Sequence, residues 1–286
     1  MTAVTCEQIL LNFMHTYQRF TIYLAIILLV SLSAILSACG GPVPTESEIK
    51  KDIKDGRTEQ TIRVANATRA GGDLRSSLSL YIRAHRMQPK WPEPLLQLGA
   101  THYALGEYEE SSKAYLKATA VAPKNIKAHK GYGKALIALK QPKDAAEHYR
   151  LAIKIKKDDA ASYSGLGVAL DMMGQHEEAQ KNYRTGIKNS KTSFALRNNL
   201  ALSLAFTSQF DEAITILKKM ADDPAATARN RLNLSLIYGL LGDMENAAKA
   251  ARRDLNKAQV DNNLAFYRRL KTMSSKEKAE AIFGKK

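Results

Sequence analysis

Histidine and cysteine are the residues of this chain most able to do chemistry. The sequence holds six His and two Cys, types that often ligate metals or act as bases and nucleophiles. No H-E-x-x-H spacing occurs, since His176 is followed by two glutamates but by no second His. No Gly-rich phosphate-binding loop, G-x-x-x-x-G-K-[ST] or G-x-G-x-x-G, is present. We therefore expect no enzyme, no bound metal and no small-molecule substrate.

Cys39 is the one Cys or His residue with a recognisable motif, because it directly follows the one long apolar run of the sequence. Residues 20–38 carry no charge, Arg19 precedes them and small residues follow them, which is the order of an export signal. Leu36-Ser37-Ala38-Cys39 resembles the lipobox of bacterial lipoproteins. The resemblance implies cleavage between Ala38 and Cys39, with a covalent lipid on Cys39 as the only non-protein group.

Residues 1–38 are thus predicted to be a lipoprotein signal peptide, with Met14 as an alternative true start. An uncleaved anchor helix stays open, because 19 residues at about 1.5 Å each just span a bilayer core of about 30 Å. Residues 39–57 are read as the lipidated Cys and a flexible tether. Gly40 follows Cys39 where inner-membrane lipoproteins of Gram-negative bacteria tend to carry Asp, and this resemblance implies an outer-membrane lipoprotein that faces the periplasm.

The formal net charge is +15, and removal of residues 1–38 takes away one base and one acid and leaves it unchanged. Such a charge suits nucleic acid or anionic lipid head groups. Export and lipidation place the protein away from nucleic acid. We therefore expect a membrane attachment through the lipid anchor and no nucleic-acid partner.

The elements that position any binding surface come from a 34-residue period. Six blocks follow one another without a gap: 58–91, 92–125, 126–159, 160–193, 194–227 and 228–261. Small residues recur at the eighth and twentieth positions, and mostly Gly, as at Gly72 and Gly106, recurs at the fifteenth. The period predicts two helices per block, with a left-handed residue between them and close contact at the small positions.

This pattern resembles the tetratricopeptide repeat. The predicted fold is all-α: a right-handed superhelical solenoid of six helix-turn-helix repeats plus a C-terminal capping helix and charged tail in 262–286. One such hairpin cannot bury its own apolar face, so the repeats must stack.

In this repeat family the first helix of each block lines the concave face, and its positions two, five, nine and twelve point inward. Transferred to this sequence, these positions and the amides at position six imply a partner-binding groove that grades from basic to apolar. Its predicted residues are Tyr103, Lys127, Lys130, Lys134, Asp171, Asn198, Asn199, Leu202, Leu232, Asn233 and Leu236. A solvated lysine face and structural asparagines are the alternatives. The Lys and Asn clamp that grips chaperone C-termini is absent, since Lys134 and Gly165 occupy the two Asn positions.

Three stretches go beyond a generic repeat: 197–217, 228–255 and NNLAFYRRL at 262–270. With the lipobox, they resemble the TadD family, the tetratricopeptide lipoproteins of the tight-adherence (Flp, type IVb) pilus assembly system. The resemblance implies protein partners, a secretin or another pilus-assembly component, and pilotin-like assistance of secretin assembly or localisation. A type IVa pilotin and a general envelope scaffold without secretin contact remain alternatives.

Overall fold

The computed structural model describes residues 46–190 and 193–283 of the chain. These residues form fourteen α-helices and no strand. In chain order the helices are α1 (Glu46–Ala70), α2 (Leu74–Met87), α3 (Pro92–Ala104), α4 (Tyr108–Val121), α5 (Ile126–Ala138), α6 (Pro142–Ile155), α7 (Ala160–Met172), α8 (His176–Asn189), α9 (Phe194–Phe206), α10 (Phe210–Ala221), α11 (Ala228–Leu241), α12 (Met244–Ala251), α13 (Lys257–Lys271) and α14 (Ser275–Phe283).

The chain divides into two compact units, residues 1–57 and residues 58–286, and the repeats lie in the second unit. Among the described residues, no helix has the length and apolar character needed to cross a membrane. The apolar run, Cys39 and the first part of the predicted tether lie outside the described residues. The rest of the predicted tether, residues 46–57, is helical because it forms the start of α1, so its prediction as a flexible segment is wrong.

The turn between the two helices of each repeat has the predicted left-handed residue in all six blocks. Four of these residues are Gly, with φ from 77° at Gly106 to 102° at Gly242. The other two, Lys140 and Ser208, adopt φ of 58° and 61°. A side chain is strained in this region, so the geometry of the repeat overrides the local preference of both residues.

The first helix of several repeats begins at a capping residue that is the last residue of the preceding block. Asn125, Asp159 and Ser193 each accept a hydrogen bond from the backbone N–H three residues further on. These side chains satisfy a donor that the first helical turn leaves free. The 34-residue register thus sets helix starts as well as turns.

Small residues at the eighth and twentieth positions let the helices of one repeat pack closely, as predicted. Ala65 and Ser77 in the first block, like Ala145 in the third, are fully buried. The ring of Tyr115 fills the space beside Gly99, where a Cβ would lie only 2.7 Å from the ring. Burial raises the pKa of Tyr115 to about 12, so the hydroxyl stays neutral and the ring acts as packing.

The same tyrosine also packs on the next repeat. A Cβ on Gly131 would overlap the ring of Tyr115, and a Cβ on Gly165 would overlap the ring of Tyr149. Each tyrosine is therefore held between a glycine of its own repeat and a glycine of the following one. This contact joins the second, third and fourth repeats.

The first helices of successive repeats contact one another directly: α3 with α5, α5 with α7, α7 with α9, α9 with α11, and α11 with α13. We call the surface that these first helices form the inner surface. Repeat proteins commonly bind partners along such an extended surface.

The sixth repeat departs from the expected pattern. Its second helix, α12, ends at Ala251, although the period predicts a helix to about residue 257. The following helix then begins at Lys257, inside the sixth block, because Asn256 and Gln259 form a capping box. Arg231 donates to both carboxylate oxygens of Asp254 at 2.7 and 2.5 Å, which fixes the intervening turn.

The C-terminal segment also differs from the single capping helix and charged tail that the sequence predicts. It forms two helices, α13 and α14. Only α13 caps the last repeat, where it contacts α11 and α12. By contrast, α14 turns back and contacts α7 and α9, the first helices of the fourth and fifth repeats.

Candidate functional site

The predicted groove residues lie in five different environments. The first is a basic and aromatic area on α3, α4 and α5, which we call the Tyr103 patch: the predicted Tyr103, Lys127 and Lys134, together with Tyr108 at the start of α4. The Nζ of Lys134 lies 4.0 Å from the centroid of the Tyr103 ring, and the Tyr103 and Tyr108 rings are 5.1 Å apart. Lys127 and Lys134 are both exposed and lie two turns apart on one helix face.

Lys130 does not extend this patch as a free cation, which corrects the predicted stripe of three lysines. Its Nζ lies 3.1 Å from Oδ1 and 3.2 Å from Oδ2 of Asp159. Asp159 also accepts from the backbone and hydroxyl of Ser162. Burial opposes ionisation of Asp159, but the hydrogen bonds from Ser162 and Lys130 lower its pKa overall. Lys130 therefore stabilises the start of α7.

Asp171 is fully buried rather than exposed in the groove, so its predicted role is wrong. Its Oδ1 accepts from Nδ1 of His176 at 2.8 Å and from Oγ of Ser203 at 2.7 Å, while Oδ2 accepts from the Tyr183 hydroxyl at 2.9 Å. Burial raises the pKa of Asp171, against the lowering effect of its hydrogen bonds to His176, Ser203 and Tyr183. The carboxylate lies in the interior because the side chains that donate hydrogen bonds to it are on α8 and α9.

This network has the residue types of a catalytic triad but the wrong connections. Ser203 donates to Asp171 and not to a histidine nitrogen, and its side chain is inaccessible. A triad needs the serine bonded to the histidine that activates it. Within the part of the chain that the structure describes, no group of three His, Cys, Asp or Glu residues could hold a metal ion either.

The predicted amides and one leucine mostly serve packing between repeats. Asn233 donates to Oδ1 of Asn198 at 3.0 Å, and Asn199 donates to Ser164 at 3.2 Å. Each hydrogen bond joins first helices of neighbouring repeats. Leu202 is 4% exposed and belongs to the main hydrophobic cluster, so its predicted place in an open groove is wrong. The structural alternative therefore accounts for these positions.

The apolar end of the inner surface is a cavity of about 640 Å³ between α11 and α13. We call it the α11–α13 cavity; its lining residues are Leu232, Asn233, Leu236, Asn262, Asn263, Ala265, Phe266, Tyr267 and Arg269. The guanidinium of Arg269 lies 5.4 Å from the Phe266 ring centroid. Apolar walls with a few amides and one cation are typical of a site for a ligand or peptide side chain.

Three predicted residues, Leu232, Asn233 and Leu236, line this cavity. The α13 side was not predicted, because the sequence reading treated 262–270 as a cap. A signal was present: Leu264, Tyr267 and Leu270 mark the packed face of this helix, which leaves Phe266 and Arg269 to face elsewhere. Cys39 lies outside the described residues, so its predicted lipidation stays a prediction.

Comparisons with known proteins agree with this architecture. Residues 96–162 match the tetratricopeptide repeat family. The fold is similar to that of PilF from Pseudomonas aeruginosa, with a TM-score of 0.60, 16% identity, and coverage of 74% of this chain and 99% of that one. A tetratricopeptide-repeat protein of Parabacteroides merdae gives a TM-score of 0.51 at 17% identity, with 74% and 98% coverage.

A thermophilic protein of this class from Thermus thermophilus gives a TM-score of 0.54 at 18% identity, with 63% of this chain and 98% of that chain covered. The search of curated proteins finds no match. The chain therefore has the predicted tetratricopeptide-repeat fold. Solenoids of this kind present an extended concave surface that can bind partners, so the class of protein that the fold supports is a repeat solenoid with an extended binding surface.

Proposed function

We propose that this protein is an envelope-anchored interaction module of Flp (type IVb) pilus biogenesis. A lipid on Cys39 holds it on the periplasmic face of the outer membrane, and its inner surface captures a segment of the secretin or of another pilus-assembly protein. Several acyl chains give a durable anchor where a single chain would bind only weakly. Binding at the membrane then assists secretin localisation or assembly.

The observation that carries the proposal is the position of NNLAFYRRL, residues 262–270. This stretch is part of the resemblance to the pilus lipoproteins, and it supplies Asn262, Asn263, Phe266 and Arg269 to the α11–α13 cavity. All the residues that line the cavity thus come from two of the stretches that distinguish the chain from a generic repeat, 228–255 and 262–270. Such a coincidence supports a partner-binding role for the cavity.

The chemistry of the cavity describes the segment that it would accept. Leu232, Leu236 and Phe266 offer apolar contact to a large aliphatic or aromatic side chain. Arg269 is exposed at the rim and attracts a carboxylate. The side chains of Asn262 and Asn263 can hydrogen-bond a backbone amide of the bound segment. A peptide with acidic and apolar side chains can contact the apolar walls, Arg269 and the two amides at the same time.

The test is crosslinking in cells followed by mass spectrometry of the material recovered with the protein. We expect secretin or another tight-adherence component with the wild type, and at least about tenfold less with Arg269→Glu. Arg268→Glu is the matched control, since Arg268 is equally exposed on α13 but does not line the cavity. Far-UV circular dichroism confirms that both variants fold.

Recovery of peptidoglycan enzymes alone would identify a general envelope scaffold, and recovery of type IVa pilus proteins would identify a pilotin of that system. Equal secretin recovery with Arg269→Glu and Arg268→Glu would refute the cavity as the site. Cys39→Ala tests the anchor separately: we expect a folded protein that is released from the outer-membrane fraction, together with impaired piliation.

A further inference from the structure

The helix α14 occupies the middle of the inner surface. It contacts α7 and α9, and the hydroxyl of Ser275 donates to the backbone carbonyl of Phe206, the last residue of α9, at 2.8 Å. Ala281 and Ile282 pack against the main hydrophobic cluster. The chain's own C-terminal helix therefore lies where a solenoid of this class binds its partners.

One face of α14 makes these contacts. Ser275, Lys278 and Ile282 are partly buried and lie at helical spacing, whereas Glu277 and Glu280 are exposed. The helix is thus amphipathic, with a face toward α7 and α9 that is made of small and aliphatic side chains and of Lys278, whose methylene stem can pack while its charge stays at the edge. It shows directly which kind of helix this part of the inner surface accepts.

The helix also has the features of a separable unit. It spans nine residues, fewer than an isolated helix needs to be stable in water, so its helicity depends on the surface beneath it. It carries its own cap, because the Ser274 backbone N–H donates to Glu277 and the Glu277 backbone N–H donates to the Ser274 hydroxyl. Ala281 and Ile282 stay partly exposed, in contrast to the fully buried residues of the cluster on which they lie.

Because α14 contacts α7 and α9, it lies between the Tyr103 patch on α3, α4 and α5 and the α11–α13 cavity. Without it, the inner surfaces of α7 and α9 would connect the two sites. The exposed lysines Lys127 and Lys134 at one end complement an acidic segment, and the apolar walls at the other end complement an aliphatic one.

We propose that α14 is a displaceable occupant of a helix-binding site, and that a partner's amphipathic helix takes its place on α7 and α9. The partner helix presents a small and aliphatic face like that of α14, and acidic residues beyond it reach Lys127 and Lys134. This inference rests on the proposed function only for the identity of the partner. In the free protein α14 occupies the site, so an added helix binds there only weakly. A partner binds by competing with the tethered α14.

The first experiment uses the chain's own helix as the probe. A fluorescein-labelled peptide of residues 274–286 is titrated by anisotropy into the wild-type chain, into Ile282→Asp and into the control Glu280→Ala. A short tether gives α14 an effective concentration in the millimolar range, so we expect the wild type and Glu280→Ala to bind the peptide at least about tenfold more weakly than Ile282→Asp. A peptide that itself carries Ile282→Asp should bind none of them.

Equal binding by all three proteins, or no binding to Ile282→Asp while circular dichroism shows intact repeats, would overturn the proposal. Hydrogen exchange on the wild type provides a second test that needs no variant. We expect the amides of α14 to exchange at least about tenfold faster than those of α7, and equal protection would show that α14 is a fixed part of the core. Neither assay involves secretin, so failure here is distinguishable from failure of the proposed function.

Discussion

Replacement of Asp171 by alanine should be among the most destabilising single changes in the fourth repeat. The fully buried carboxylate accepts three hydrogen bonds, from His176, Tyr183 and Ser203. Ser203 belongs to the fifth repeat, so the network holds neighbouring repeats together as well as α7 to α8. Alanine leaves His176 and Tyr183 without this acceptor and leaves Ser203 only a longer contact of 3.4 Å to the His176 carbonyl oxygen, in a buried region.

The magnitude follows from the count of stranded donors. A buried donor without a partner costs at least about 1 kcal/mol, so two stranded donors and one weakened bond should lower the free energy of unfolding of Asp171→Ala by about 2–3 kcal/mol. Asp171→Asn keeps an acceptor at Oδ1 for His176 and Ser203. Its amide group replaces Oδ2, where the Tyr183 hydroxyl oxygen can accept in return. We therefore expect Asn to cost only about 1 kcal/mol.

The pH dependence gives an independent check on the same carboxyl group. Because burial raises the pKa of Asp171 above its ordinary value of 3.8, the folded state binds this proton more tightly than the unfolded state. The contribution of the group to stability is then largest below pH 3.8 and is lost as the pH rises through the raised pKa of the folded state. The stability advantage of the wild type over Asp171→Asn should accordingly shrink as the pH rises above 3.8.

Urea unfolding followed by far-UV circular dichroism measures these differences. Asp158→Ala is the control, because Asp158 is exposed and such a change usually alters stability by less than about 0.5 kcal/mol. The reasoning would be refuted if Asp171→Ala unfolded within about 1 kcal/mol of the wild type, or if Asn cost as much as Ala. An advantage of the wild type that grew with rising pH would contradict the assigned pKa direction.

Two further predictions concern the repeat geometry. Lys140→Gly and Ser208→Gly should each raise the free energy of unfolding by about 0.5–1 kcal/mol, because Gly removes the left-handed strain. The control Ala122→Gly, at φ −136°, should not stabilise the protein. Urea midpoints below that of the wild type for Lys140→Gly and Ser208→Gly would contradict the explanation. Gly165→Ala should lower the free energy of unfolding by about 1–3 kcal/mol, since its Cβ overlaps the tyrosine ring of the preceding repeat. The control Gly56→Ala, with open space around the new Cβ, should be neutral or stabilising. Thermal unfolding of both variants measures the difference.

The period predicted the architecture because every repeat solves the same local problem. Gly99 and Ser111 must be small where two helices cross, and the turn residue must adopt positive φ, whatever lies elsewhere in the chain. This constraint is strong enough that Lys140 adopts the turn geometry without being Gly. Local rules of this kind are visible in a single sequence.

The inner surface could be predicted only in part, because long-range partners decide which of its residues are open. Asp171 has the same repeat position as Tyr103, which is partly exposed in the second repeat, but hydrogen-bond donors from α8 and α9 hold Asp171 in the interior. The path of α14 back to α7 and α9 involves residues about 70 positions apart, such as Ser275 and Phe206. No periodic pattern records a contact of that range.

Leu202 and Leu236 show what this means for function. Both have the ninth position of their repeats, and family geometry directs both inward. Both leucines are buried in the main hydrophobic cluster, Leu202 at 4% and Leu236 at 8% exposure. Leu202 lies on α9, which α14 contacts, whereas Leu236 lies on α11 and lines the α11–α13 cavity. The same repeat position thus borders an open cavity in one repeat and not in another, because different elements lie next to the two first helices. A partner that displaced α14 would gain the inner surfaces of α7 and α9 without any change in the repeats themselves.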